Sequence, residues 1–262
     1  MISVVIPCVP EHVKHLTDLL TSIINQTILP QKVIIALSET SDIECHNLYN
    51  KYNSNFPQLE GSIFLSCTKN KAFAGENRNR GCCYVDTDYV TFIDADDLMK
   101  HNKIEILLNI FQKYKLDAII HTLDKRELEK DISVVSNNVV SNNNNTVFFK
   151  DKIKKVRSQC RVFLNHQLFG IDNEICHGHL SIKKNVYSRI KQNPSRRIGE
   201  DSEMIRNIID QNYNIALIDL PLSIYRNHLS SNQYFVEDPA TKIKRLKRKQ
   251  EKRKLKKKMC YK

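Results

Sequence analysis

Three carboxylates close an apolar run in the stretch Thr91-Phe-Ile-Asp-Ala-Asp-Asp-Leu-Met-Lys100. Asp94, Asp96 and Asp97 repel one another and raise each other's pKa unless something compensates. A divalent cation, a helix N-terminus or water could do so. Hard cations such as Mg²⁺ and Mn²⁺ take oxygen ligands, usually one or two carboxylates together with phosphate oxygens. Asp-x-Asp at the end of a strand therefore suits a metal that holds a nucleotide diphosphate. On a plainer reading, Asp97 caps a helix starting at Leu98 and its neighbours are solvated. A second acidic pair, Glu200-Asp201, opens a predicted helix, where the helix dipole alone favours acids.

These residues need elements to position them. "ISVVIP" (2–7), "KVIIAL" (32–37), "SIFLSC" (62–67) and "YVTFID" (89–94) are short apolar runs that read as strands. Between them fall helical patterns: Val13, Leu16, Leu20 and Ile23; a polar helix from about Asp42; and a helix near 76–84. Ile104, Leu107, Leu108 and Phe111 form the apolar stripe of the next one. Alternation of this kind predicts an α/β fold, a mostly parallel sheet flanked by helices on both faces. The second half is less regular. Strands are expected at 117–122, 178–184 and 214–220 and a helix at 200–210, while 124–150 is polar and 141–145 is a loop by composition. In an open parallel sheet, ligands bind beyond the carboxyl ends of the strands, which is where Asp94 and Asp96 sit.

The chain has 262 residues and a formal net charge of +12, from 41 Lys and Arg against 29 Asp and Glu. Thirteen of the basic residues and one acid, Glu251, lie in 242–262, leaving 28 of each sign for residues 1–241. The body is thus charge-balanced, and the excess belongs to a polybasic C-terminal tail (236–262). As a helix, the tail would put Ile243 and Leu246 on one side and Leu255 and Met259 well away from them, so it has no single apolar stripe. A partner for it would be an anionic membrane surface or nucleic acid. None of the eight cysteines forms C-x-x-C, and no apolar run approaches 18 residues. "MISVVIP" enters a strand at once, without a signal-like leader. A cytoplasmic protein with free thiols, peripheral to a membrane if the tail binds one, is the expectation.

Four segments, in order, give the body a likeness. "ISVVIP" with "LLTSIINQT" (19–27), "AGENRNRGCCYVDTDYVTFIDADD" (74–97), "GEDSEMIRNI" (199–208) and "IYRNHLSS" (224–231) resemble the first strand and helix, the Arg-Asn-x-Gly-to-Asp-x-Asp segment, the acidic pair and the late Tyr-Arg-x-His segment of family 2 glycosyltransferases of the GT-A fold. The resemblance implies a domain over 1–235, with a nucleotide-sugar half (1–98) and an acceptor half (99–235).

It also implies roles. Asp201 would be the catalytic base of an inverting transfer of a single sugar from a nucleotide-diphosphate sugar, a UDP-sugar by expectation, to an acceptor hydroxyl. Asp96, Asp94 and His228 would hold Mn²⁺ or Mg²⁺. Pro7, Cys8, Val9, Glu11, Ser38, Arg78, Asp94 and Ala95 would line the donor, with Arg78 facing the diphosphate. Glu200 and His179 would lie on the acceptor side, and 124–176 would shape the pocket for a glycan, lipid or protein acceptor.

Departures from the family pattern matter. Leu37-Ser38-Glu39 stands where the family has adjacent carboxylates that contact the base and ribose, which leaves the donor base open. Val9-Pro10 replaces Tyr-Asn. With no Trp in the chain, the Gln-x-x-Arg-Trp motif of processive synthases is absent. A haloacid-dehalogenase-type phosphatase also uses Asp-x-Asp, but it needs Thr or Val where Leu98 stands and carries the motif on its first strand. A Gly-x-Gly-x-x-Gly dinucleotide site is excluded by the sequence. A non-catalytic nucleotide-sugar-binding module is the remaining alternative.

Overall fold

The computed structural model describes residues 1–127, 153–155 and 175–227. Of these, 1–126, 153–155 and 175–226 lie in one compact unit. Most of 124–176, the asparagine-rich stretch 141–145, His228 and the tail 236–262 fall outside the described residues.

The first half runs β1 (Ile2–Cys8), a 3-10 turn (Pro10–His15), α1 (Leu16–Ile24), β2 (Lys32–Leu37), α2 (Asp42–Asn55), β3 (Ile63–Cys67), α3 (Ala74–Cys82) and β4 (Tyr89–Phe92). Then come β5 (Leu98–Met99), α4 (Lys103–Tyr114), β6 (Ala118–Glu127), β7 (Ile153–Lys155), β8 (Ile175–Lys183), α5 (Lys184–Ile190), α6 (Glu200–Asp210) and β9 (Ile215–Asn227). The nine strands form one sheet in the order β3-β2-β1-β4-β8-β6-β9-β5, with β7 paired to β9. The β3-β2-β1-β4 part is parallel. Beyond it, β8 runs antiparallel to β4 and β6, and β5 and β7 run antiparallel to β9, so the sheet is mixed.

Why β1 sits centrally follows from its residues. All seven are buried. Successive side chains of a strand point to opposite faces. Ile2, Val4, Ile6 and Cys8 pack with Leu16, Leu20 and Ile23 of α1 and Leu107 and Phe111 of α4. Val5 packs on the other side with Cys82 of α3, Tyr187 of α5 and Met204, Ile205 and Ile208 of α6. Helices thus cover both faces. At Gly81 a Cβ would stand 2.6 Å from Val5 Cγ1, so glycine is what lets α3 lie this close to β1.

Three expectations are corrected. The chain does not enter a helix at Leu98. Asp97 N–H turns back to Asp94 O (3.1 Å), Leu98 and Met99 pair with Ile224 and Ser223 of β9, and the helix begins only at Lys103. The run 178–184 ends as a strand at Lys183, and the next residues form α5. The thiols are not all free. Cys45 of α2 is joined to Cys67 at the end of β3, while Cys8, Cys82 and Cys83 are free. Tyr52 is the sole buried residue of α2, so the bridge and the Ser41–Glu44 capping box hold a helix with little apolar packing of its own. No helix among the described residues is long and apolar enough to cross a membrane.

Candidate active site

The carboxyl ends of β1, β2 and β4 converge on one place. Cys8 O accepts from Ser38 N–H (3.2 Å) and from Asn77 Nδ2 (3.1 Å), which ties the two strand ends to α3. Ser38 Oγ is buried and donates to Ala72 O (3.4 Å). Pro7, Cys8 and Ala95 are buried, Val9 is half-buried and Glu11 is exposed. Burial first, and then the charge of Asp96, push the Cys8 thiol up. His12 lies on the same side, its Nδ1 3.8 Å from Asp96 Oδ1.

The acidic turn is not uniform. Asp97 is buried: its Oδ1 accepts from Arg226 N–H (3.0 Å), and its Oδ2 lies 3.0 Å from His179 Nε2. Asp94 is partly exposed; its Oδ2 is 3.9 Å from the same ring nitrogen. Asp94 N–H donates to His179 Nε2 (3.2 Å). One oxygen each from Asp94 and Asp97 and a nitrogen of His179 therefore form a compact donor set, all within 4.8 Å of one another. Ligands roughly 2.1 Å from one ion stand some 3–4 Å apart; the His179 Nε2 separations of 3.0 and 3.9 Å lie in that range, and this nitrogen must release the Asp94 N–H to bind a cation. The chemistry, two oxygens and one imidazole, suits Mn²⁺ as well as Mg²⁺. Asp96 is outside the set. Burial, then the charges of Asp97 and Asp94, push its carboxyl up, and His12 pulls it back.

Behind the turn lies Arg78, fully buried in α3. Its Nη2 donates to Asp94 Oδ1 (2.7 Å), and its Nη1 donates to Glu200 Oε1 (2.9 Å) and Gln192 Oε1 (3.2 Å). Burial works against the guanidinium's charge, but Asp94, Glu200 and Asp201 more than offset it and hold its pKa above the usual value. Burial likewise works to raise Asp94, but Arg78 and His179 outweigh it and hold the carboxyl below the usual range. Gly178 of β8 makes room: a Cβ there would stand 3.0 Å from Asp94 Oδ2 and 3.3 Å from Arg78 Nη2.

The acidic pair arrives from the other side. Gly199, at φ 75°, takes the left-handed turn that starts α6, and Glu200, Asp201 and Glu203 fill its first turn. Glu200 is buried on Arg78, whereas Asp201 is half-buried and accepts from Ser202 N–H. Arg78 thereby bonds two of the expected residues, Asp94 and Glu200, while Asp201 acts on the guanidinium through its charge. His179, expected on the acceptor side, is buried against Asp94 and Asp97 of the turn. Asn77, Gln192, Arg226 and His12 complete the cluster without having been singled out, and Asp97, named in the acidic run but given no role in the site, belongs to it as well. Arg226 stood inside a quoted segment, while Gln192 had no sequence signal.

This geometry stands beside three comparisons. The model of glycosyl transferase family 2 matches residues 3–185. The minor teichoic acid biosynthesis protein GgaB of Bacillus subtilis is 26% identical over 209 residues, 78% of this chain and 20% of the relative. The glycosyltransferase GlyG of Streptococcus pneumoniae is 26% identical over 120 residues, 46% of this chain and 38% of that one. Among solved structures, S. aureus TarS 1–349 in complex with UDP-GlcNAc superposes with a TM-score of 0.62 at 14% identity, covering 87% of this chain and 58% of that one. A second TarS structure gives 0.60, covering 86% and 36%. The mixed sheet between two helical layers, with an acidic turn at a strand's carboxyl end, is the GT-A fold. The chain belongs to glycosyl transferase family 2. It spans about a fifth to two fifths of the length of the curated relatives it matches.

Proposed function

We propose that this chain is an inverting glycosyltransferase. It moves one sugar from a nucleotide-diphosphate sugar, a UDP-sugar, to an acceptor hydroxyl. The observation that carries the reading is the convergence of the Asp94-Ala95-Asp96 turn and the first turn of α6 on Arg78. That arrangement supports a reading in which a diphosphate and cation lie beside a carboxylate able to take a proton. The solved complexes of TarS with UDP and UDP-GlcNAc and the teichoic acid role named for GgaB support the donor class.

Residues 1–98 would hold the nucleotide, and 99–235 would shape the acceptor side. Asp94, Asp97 and His179 would hold Mn²⁺ or Mg²⁺, with Asp94 also near the ribose; Asp96, beside that set, and His228 are further candidate ligands. The cation would stabilise charge building on the departing diphosphate. Asp201 accepts the hydroxyl proton as the oxygen attacks the anomeric carbon in line. Arg78 fixes Asp94 and Glu200 so that donor and base keep their spacing. The acceptor is a glycan, lipid or protein. The chain works in the cytoplasm where its donor is made, and the 242–262 tail holds it to anionic membrane or nucleic acid.

A panel of nucleotide sugars, incubated with a hydroxyl acceptor with and without Mn²⁺, tests this. Metal-stimulated release of a nucleoside diphosphate, with transfer of the sugar in inverted configuration, is expected. Phosphate release without any acceptor would favour the phosphatase reading, and binding of the sugar nucleotide without turnover would favour the binding module.

A further inference from the structure

The acidic turn is held from behind as well as by its own contacts. Arg226, near the end of β9, reaches three pieces of chain at once. Its N–H donates to Asp97 Oδ1 (3.0 Å), its Nε to the main-chain O of Asp96 (2.5 Å) and its Nη1 to Asp18 Oδ2 (2.6 Å). The residue is 8% exposed, so its bonds to Asp97 and to the Asp96 carbonyl are made largely out of water, whereas the Asp18 carboxylate is half exposed.

Asp18 belongs to a pattern along the first helix. Ser22 Oγ accepts from Met99 N–H (3.0 Å). Gln26, just past the helix end, donates to Lys100 O (2.8 Å) and accepts from Ile104 N–H (3.1 Å). Residues 18, 22 and 26 are four apart and share one helix face. One polar stripe thus fixes the main chain at 99, 100 and 104, and Arg226 carries the same scaffold onto residue 96. The turn's carboxylates repel one another, and a guanidinium on the Asp96 carbonyl sets a positive charge behind them.

We propose that Arg226, braced by Asp18, is a positioning residue for the metal-binding turn. It fixes the carbonyl of Asp96, between the two, and so the direction in which the Asp94 and Asp97 carboxylates face a cation. The inference rests on the cation reading given under Proposed function. Lysine replaces it only in part: one ammonium on a flexible stem does not span acceptors on two separate elements as a planar fork does.

The test is Mn²⁺ binding by the full chain, followed by calorimetry or electron paramagnetic resonance with the metal alone. The readout is affinity, with metal-free melting temperature alongside. Partners that orient ligands typically change metal affinity about 10–100-fold, and a loss in that range is expected for Arg226→Gln. Arg226→Lys should fall between that variant and wild type. Asp18→Ala should weaken Mn²⁺ in the same direction, with its melting temperature nearly unchanged because the carboxylate is half exposed. The double variant should bind no worse than Arg226→Gln, since Asp18 acts through the arginine. If Arg226→Gln fails to fold, Asp18→Ala carries the test. Wild-type affinity in Asp18→Ala and in any Arg226 variant that folds overturns the inference and leaves the cation reading standing. Absence of Mn²⁺ binding by wild type overturns both.

Discussion

Arg78 Nη2 lies 2.7 Å from Asp94 Oδ1, inside the fold rather than facing solvent. The guanidinium's other terminal nitrogen is committed to Glu200 and Gln192. A side chain expected at the diphosphate is thus also a tie between the strand that carries the acidic turn and the helix that carries the acidic pair.

Arg78→Met should therefore cost more than activity. It leaves Glu200 buried and unpaired and Asp94 half so. Removing one partner of a buried pair typically costs about 3–5 kcal/mol, with the lower end expected because Asp94 reaches solvent. Urea denaturation at neutral pH reads the loss. Wild-type stability in Arg78→Met would show that the tie contributes nothing to the fold.

The two carboxylates after Ala95 should separate cleanly in a second experiment. Asp96 is pushed toward its neutral form by burial and by its neighbours, so Asp96→Ala should leave metal-free stability unchanged or slightly raised. If Asp96 touches the cation, Mn²⁺-dependent donor binding is lost all the same. Asp97 has both oxygens occupied, by Arg226 N–H and His179. Asp97→Ala should lower stability by at least about 1.5–3 kcal/mol, the worth of one hydrogen bond to a charged group. Equal stability losses in the two variants would contradict this division of labour.

Much of this was legible in the residues. β2 and α6 fall where the patterns put them, because the KVIIAL run is buried on both faces and Gly199-Glu200-Asp201 carries its own start signal. The antiparallel half of the sheet was not legible. β8 pairs with β4 and β6 through contacts 53 to 94 residues apart in sequence, as in Thr122↔Ile175 and Tyr89↔Lys183, and no local pattern encodes such pairing. The same holds at the site. Asp94 and Asp96 announce themselves by spacing, whereas His179 and Gln192 reach Asp97 and Arg78 only through the tertiary fold. The plainer reading of Asp97 as a cap does not hold; its bonds to β8 and β9 cannot be seen in its neighbours. The Cys45–Cys67 pair, 22 residues apart, was hidden for the same reason.

A third prediction concerns pH. His121 in β6 is fully buried, and its Nδ1 lies against Thr122 O (2.7 Å). Burial first, then Lys103 and His179, hold its pKa well below the ordinary value of 6.5. The unfolded chain then binds a proton that the folded chain does not, in the window below the unfolded pKa of about 6.5. Stability from this group is complete above that pH and falls as pH drops toward the folded value, at up to about 1.4 kcal/mol per unit. His121→Phe should flatten the acid limb by that slope, read from urea midpoints between pH 7.5 and 5. Parallel limbs for variant and wild type would mean that His121 takes up its proton in the folded state as readily as in the unfolded one.

The base itself is the sharpest test of the mechanism. Of the acidic pair, Glu200 is committed to Arg78 and buried, so its oxygens are poorly placed to meet an acceptor. Asp201 is half-buried, and its Oδ1 accepts only the neighbouring Ser202 N–H among the contacts described. Asp201→Asn preserves shape and removes the proton acceptor. Transfer should slow by about 10²–10⁴-fold, the usual worth of a general base. Affinity for Mn²⁺ and for the sugar nucleotide should hold, since the arrangement assigns neither to this side chain. Glu200→Gln should behave differently. It weakens the pairing with Arg78, so stability and kcat fall together, and the rate loss should be partly recovered at lower temperature as the fold tightens. Near-wild-type transfer by Asp201→Asn would remove the base from the scheme. Loss of donor binding along with rate would move Asp201 into the nucleotide site. A product of retained anomeric configuration would rule out single displacement, whatever the variants do.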